Sequence, residues 1–210
     1  MYIPSLFKES DTATIERFVD EHPLATVVLV TDGQPHVDHI PFMRISGLSP
    51  GGVLITHVAK ANNTWKLIDQ TPSAMLVFTG ASAYVSPSFY PSKPITHEVV
   101  PTWNYVGVHL KGKLSYSHDH DEKKRTVDHL TRKMEATRAE PWSIDDAPAS
   151  YIAAMLSGVV ALSFQIETIE AKFKASQNKT RKDRQGVIDG LESNSLTAEA
   201  AAIVKQHLDR

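Results

Sequence analysis

The residues from Phe78 to Leu114 limit what this chain can fold into more than any other stretch of it. They leave an apolar strand at Gly80 and pass through a proline-punctuated loop carrying Tyr84, Ser86, Ser88, Phe89, Tyr90, Ser92 and Lys93. They then enter a segment that alternates. Val106, Val108, Leu110 and Leu114 share one face, while Tyr105, His109, Lys111 and Lys113 share the other. A period of two with one apolar face needs a sheet that can bury that face. The loop before it is rich in rings and hydroxyls, and two readings stand side by side. It is a wall for a flat polar ligand bearing a phosphate, or an ordered loop packing its own aromatics on the sheet.

The remainder of the chain supplies further strands. Leu24 to Val30 is an apolar run, and Asp32-Gly33 then provides the positive φ angles of a tight hairpin turn into His36–Met43. Ser49-Pro-Gly-Gly52 is another turn before Val53–Val58, and Ala74–Thr79 and Val160–Ile166 also read as strands. Helices are expected after a Ser10 or Asp11 cap, over Asn62–Gln70, and after Asp119 or Asp121 with Val127, Leu130 and Met134 as the buried stripe. Others are expected over Asp145–Leu156, Asp183–Leu191 and Thr197–Leu208. Many short strands with Gly and Pro turns, and only a few helices between them, describe a mainly β fold with added helices rather than βαβ units.

Composition removes several classes of function. With no cysteine there is no disulfide, thiolate catalysis, Cys-bound zinc or iron–sulfur centre. A net charge of −2 opposes a generally basic nucleic-acid binder. The opening MYIPSLFKES has neither a basic segment nor an apolar core of the signal-peptide kind, and no apolar run is long enough to span a bilayer. The expectation is a cytoplasmic protein without membrane contact. No GxSxG, HExxH or GxGxxG pattern occurs, so hydrolase and Rossmann readings lack support. His118-Asp-His-Asp121 reads as a solvated turn with a helix cap rather than a metal site, and His109 as a hydrogen-bonded histidine rather than a haem or metal ligand.

A set of separate blocks points to a family. These are His57-Val-Ala-Lys-Ala-Asn62, Phe78-Thr-Gly80, Ala83-Tyr-Val-Ser-Pro-Ser88, Tyr90-Pro-Ser-Lys93 and Val100-Pro-Thr-Trp-Asn-Tyr105. His22-Pro-Leu-Ala-Thr26, Asp38-His-Ile-Pro-Phe42 and Lys172-Phe-Lys-Ala-Ser-Gln-Asn178 join them, in order, from Tyr2 to about Leu191. In these the chain resembles the PaiB family of FMN-binding negative transcriptional regulators. The resemblance implies an FMN-binding split β-barrel related to pyridoxamine 5′-phosphate oxidase, and a homodimer with flavin between subunits. It would occupy residues 1–194, with 195–210 an added surface helix. Phe173 stands where the family often has tryptophan.

FMN needs cations and donors for its phosphate and a flat apolar slot for its ring. The expected phosphate site is the strand-to-helix junction His57, Val58, Ala59, Lys60 and Asn62, with Trp65 beside it; its plain alternative is a capped helix with an exposed lysine. Trp103, Asn104 and Tyr105 offer a stacking face or dimer core, and Lys93 a second phosphate contact or simple loop charge. Lys172, Lys174 and Gln177 would lie near the partner's flavin in the dimer that the resemblance implies, or form a solvated basic edge. Lys179, Arg181, Lys182 and Arg184 are the densest basic cluster, a contact for DNA phosphates or a solvated helix start. An FMN-dependent reductase or oxidase and a haem-binding or haem-degrading protein are the competing functions. No catalytic residue is singled out.

Overall fold

The strands decide the layout of the computed structural model, which describes residues 1–208. Along the chain it runs α1 (Thr12–Glu21), β1 (Leu24–Thr31), β2 (Gln34–Pro41), β3 (Met43–Arg44), β4 (Val53–Ala59), α2 (Thr64–Leu67) and β5 (Ser73–Val85). There follow α3 (Lys93–Thr96), β6 (Thr102–Ser117), α4 (His120–Glu135), α5 (Ala149–Ser157), β7 (Val159–Lys174), α6 (Arg181–Glu192) and α7 (Ala198–Gln206). The strands lie in the order β2-β1-β5-β6-β7-β4-β3. The fold is mostly antiparallel sheet with helices added, as the alternation implied. β5 and β7 are longer than the sequence pattern suggested, running on past the lapses in apolar alternation at Gly80–Ser82 and Glu167–Glu170, and β6 extends beyond the expected stretch at both ends.

The chain divides into two compact units. One holds residues 19–78 and 109–169. Its hairpin turn has Asp32 and Gly33 at φ 51° and 74°, the left-handed pair that the Asp-Gly dipeptide favours. β1 pairs antiparallel with β2 and β5, and β4 pairs with β7 from Val53 opposite Gln165 to Ala59 opposite Val159. Leu54, Leu76, Leu110, Leu162 and Phe164 fill its interior. Gly112 is required there, since a Cβ would lie 2.0 Å from the Gln165 carbonyl oxygen. α4 is capped by Asp119, whose carboxylate accepts the Glu122 N–H at 2.8 Å. Its buried side is Lys123, Thr126 and Leu130; Met134, expected in that stripe, is exposed.

The other unit holds residues 1–18, 79–108 and 170–208. Asp11 caps α1, accepting the Thr14 N–H at 2.9 Å. The interior joins Ala83, Val85, Tyr90 and Ala175 to Val187, Ile188 and Leu191 of α6 and to Ala200, Ala201 and Val204 of α7. The segment beyond residue 194, expected as an added surface helix, thus puts three side chains into this core. Its alanines made the apolar stripe hard to see.

Candidate functional site

The junction after β4 is built on Asp38. Asn62 Nδ2 donates to Asp38 Oδ2 at 2.5 Å, Thr64 Oγ1 donates to the same oxygen at 3.0 Å, and the His39 N–H reaches Oδ1 at 2.7 Å. Burial alone would raise the Asp38 carboxyl, but these hydrogen bonds outweigh it and hold it below the usual carboxylate range. Asn62 Oδ1 accepts the Thr64 N–H at 2.8 Å. The Lys60 and Asn62 amides are taken by the Gly158 and Ala59 carbonyls, both at 2.8 Å.

The helix expected over 62–70 is therefore one turn, Thr64–Leu67, because Asp38 draws Asn62 and Thr64 into a polar knot. A helix this short has little dipole, and the amides of Lys60, Asn62 and Thr64 are already satisfied. Two groups are left for a ligand. The Lys60 ammonium is exposed with no ion pair among the described residues. His57 Nδ1 is buried without a hydrogen-bond partner, and burial pushes the imidazole below its ordinary value, so it is neutral at pH 7. Val58 is buried and opposite Val160 in the ladder, so its side chain is core rather than a ligand contact; Ala59 ends the strand exposed.

Trp65 Nε1 donates to the Lys60 carbonyl at 3.0 Å, and its ring lies 5.3 Å from Tyr116 and 5.0 Å from His118. His118 is thereby an aromatic neighbour. A cavity of about 620 Å³ opens beside Asn62, Asn63 and Thr64, with Leu29, Val37 and Leu67 among its apolar walls.

The second group of expected residues lies in the other unit. Trp103 is exposed and edge-on to Tyr84, with ring centroids 6.1 Å apart. Asn104 is buried, donating to Ser176 Oγ at 2.9 Å. Ser176 has φ 62°, and the turn it makes is closed by Gln177, which accepts the Ala175 N–H at 2.7 Å and donates to the Phe173 carbonyl at 2.5 Å. Asn104 and Gln177 are accordingly holders of this turn. Phe173 is buried with its ring 5.5 Å from Phe18 and 5.9 Å from His207. Tyr105 carries the Lys172 ammonium over its ring at 5.0 Å. Lys174 donates to Thr102 Oγ1 at 2.6 Å and to the Trp103 carbonyl; burial first, then the Lys172 charge, pushes its pKa down.

The aromatic loop mostly packs on its own unit. Tyr90 is buried, and Phe89 lies so close to α6 that a Cβ on Gly190 would come within 2.4 Å of its ring. Asp183 accepts the Ser92 N–H at 3.0 Å. Lys93 opens α3 exposed to solvent. The basic cluster divides: Arg184 is buried and donates to the His207 carbonyl, Lys179 sits 4.9 Å over the Tyr90 ring, and Arg181 and Lys182 are exposed. Asp38 and the unpartnered His57 nitrogen were not read from the sequence. Asp38 stood only within a family block, and no local pattern marks a carboxylate that ties down a turn far along the chain.

Residues 1–168 match the family described as "Putative FMN-binding domain". The chain is 31% identical over 212 residues to the protease synthase and sporulation protein PAI 2 of Bacillus subtilis, covering 100% of this chain and 99% of that protein. Among solved structures it is similar to the FAD and heme binding protein of Mycobacterium smegmatis, with TM-score 0.58, 21% identity, and 80% and 73% of the two chains covered. It is also similar to a conserved hypothetical protein of Mycobacterium tuberculosis, with TM-score 0.59, 12% identity, and 85% and 92% covered. At these identities the structures speak to the fold alone, which is the flavin-binding split barrel. No described helix is long and apolar enough to cross a membrane. By a match over most of its length and by its likeness to PAI 2, the chain belongs to the PaiB family of FMN-binding domain proteins.

Proposed function

We propose that the protein holds FMN at the β4–α2 junction, non-covalently, and acts as a cytoplasmic homodimeric PaiB-like negative transcriptional regulator. The observation that carries the site is the cavity of about 620 Å³ beside Asn62, Asn63 and Thr64, in the same unit as an unpaired ammonium and an unpartnered buried imidazole nitrogen. Apolar walls with a few fixed polar groups suit a flat ring, and a volume in this range suits a cofactor. Lys60 would bind the phosphate, and His57 Nδ1 would donate to it in the corresponding tautomer. Asn62 and Asp38 would act by fixing the turn that presents them. FMN, once bound, supplies a redox-active ring whose state can be read by a partner.

The test is a fluorescence titration of FMN and riboflavin against wild type and Lys60→Ala. Lys60 is exposed, so the fold should persist. FMN affinity should fall by about 1.5–3 kcal/mol, the worth of a hydrogen bond to a charged group, and riboflavin binding should hardly change. Equal losses for both ligands would move the phosphate elsewhere. For the regulatory role, retardation of DNA should weaken steeply with salt, and Arg181→Ala with Lys182→Ala should flatten that dependence. Arg184 is excluded from the pair because it is part of the core.

A further inference from the structure

α4 and the segment after it leave two adjoining cavities, both within the unit of residues 19–78 and 109–169. The first, of about 350 Å³, lies along one face of α4, where Asp121, Lys124, Arg125, Asp128 and Arg132 follow one another at helical spacing. Arg132 Nε donates to Asp128 at 2.8 Å, and Asp145 is within electrostatic reach of the same guanidinium. The second cavity, of about 340 Å³, is lined largely by aliphatic side chains. Ala149, Ile152, Ala153 and Leu156 line it from one face of α5, with Ile144 and Leu156 buried and His120 and Ala147 completing the wall. The alanines leave room that larger side chains would fill. Three residues line both cavities: Lys124, Ile144 and Asp145.

The boundary between the two is thus marked by one cation and one anion. Asp146 is taken up by the Ser143 N–H at 2.7 Å, which closes the 3-10 turn Ile144–Asp146. Its neighbour Asp145 has no such duty. Among the described residues neither Asp145 nor Lys124 forms an ion pair, although both line the mouth of an apolar slot. That charge pattern is complementary to a molecule carrying an ammonium and a carboxylate on one carbon, with an apolar chain beside them. A simple carboxylic acid would set its charge against Asp145, and a simple amine would set its own against Lys124. Around the first cavity Asp121, Asp128 and Asp145 balance Lys124, Arg125 and Arg132, which favours neither a lone anion nor a lone cation.

We propose that this groove binds a free α-amino acid with a large apolar side chain. Lys124 receives its carboxylate, Asp145 its ammonium, and the side chain enters the slot formed by Ile144, Ile152, Ala153 and Leu156. Neither cavity is lined by His57, Lys60, Asn62 or Trp65, so the groove shares none of these residues with the FMN junction.

The experiment is calorimetric titration of the full chain with L-phenylalanine and four analogues. 3-Phenylpropionate lacks the ammonium, phenethylamine the carboxylate, L-alanine the ring, and N-acetyl-L-phenylalaninamide, which stands for a peptide segment, both charges. L-Phenylalanine should bind at least tenfold tighter than each of them, the worth of one hydrogen bond to a charged group. Asp145→Asn should remove its advantage over 3-phenylpropionate while keeping that over phenethylamine, and Lys124→Gln should do the reverse. Both side chains are exposed, so the fold should persist in either variant. Ala153→Phe, which fills the slot, should weaken L-phenylalanine at least tenfold, and Lys60→Ala should leave it unchanged. 3-Phenylpropionate or the capped amide binding as tightly as the amino acid would overturn the proposal. So would equal losses for every ligand in both charge variants, or no heat from L-phenylalanine at millimolar concentration.

Discussion

Asp20 shows what a single side chain does when two cations converge on it. Its carboxylate accepts Arg44 Nη2 at 2.6 Å and Lys133 Nζ at 2.5 Å. Burial acts to raise its pKa, but the hydrogen bonds and charges of Arg44 and Lys133 prevail and leave it below the ordinary value. A carboxyl with a depressed folded value stabilises the fold above its unfolded value, near 3.9, and loses that contribution as pH falls through the folded one. Asp20→Asn should therefore cost about 1–2 kcal/mol at pH 7, discounted for partial solvent exposure, with the gap to wild type closing as pH falls through the depressed folded value. Urea midpoints of both proteins across that range check it. None of this trio was legible in the sequence, since it joins residues from α1, β3 and α4. The Asp32-Gly33 turn was legible because its cause is local. At the candidate site, Lys60 and Asn62 stand in a family block and could be named as candidates from the sequence, whereas the knot on Asp38 needed the fold.

At the scale of elements, α6 is shaped by what lies against it. Gly186 and Gly190 make a groove: a Cβ on Gly186 would stand 2.2 Å from the Phe89 carbonyl oxygen, and one on Gly190 within 2.4 Å of the Phe89 ring. Helix propensity alone favours Gly190→Ala by up to about 1 kcal/mol. Overpacking against a seated ring costs about 1–3 kcal/mol, so the substitution should lower the melting temperature. A neutral or raised melting temperature would show that Phe89 moves aside freely. The same contact explains why the loop from Ser86 to Lys93 was ambiguous from sequence. Its aromatics were visible, but the glycines that receive one of them lie far downstream. Helix α5 was blurred by Ala147-Pro148, which separates a short 3-10 turn, Ile144–Asp146, from the helix proper.

For the whole molecule, the exposed rings and valines suggest that one chain leaves apolar surface to cover. Val30, Val37, Ile95, Val100 and Trp103 are all more than half exposed. The homodimer proposed above should appear in sedimentation at micromolar concentration, and a stable folded monomer there would oppose it. A chain ending at Asn194 should lose Ala200, Ala201 and Val204 from its core and melt well below the full protein or fail to remain soluble. Circular dichroism on heating distinguishes the outcomes. The sheet was readable because alternation repeats along it. The division into units was not, because each unit is assembled from distant stretches of chain.

That interleaving sets an order of events during synthesis. The unit made of residues 19–78 and 109–169 has all its parts once Ile169 has emerged, whereas its neighbour waits for α6 and α7 while Val85 and Tyr90 have nothing to bury them. Long-range pairing of this kind is slow, and exposed apolar strands are prone to aggregate meanwhile. A chain that ends at Ile169 should therefore form a first-completed unit that resists protease, while its Ala83–Tyr90 stretch is cut.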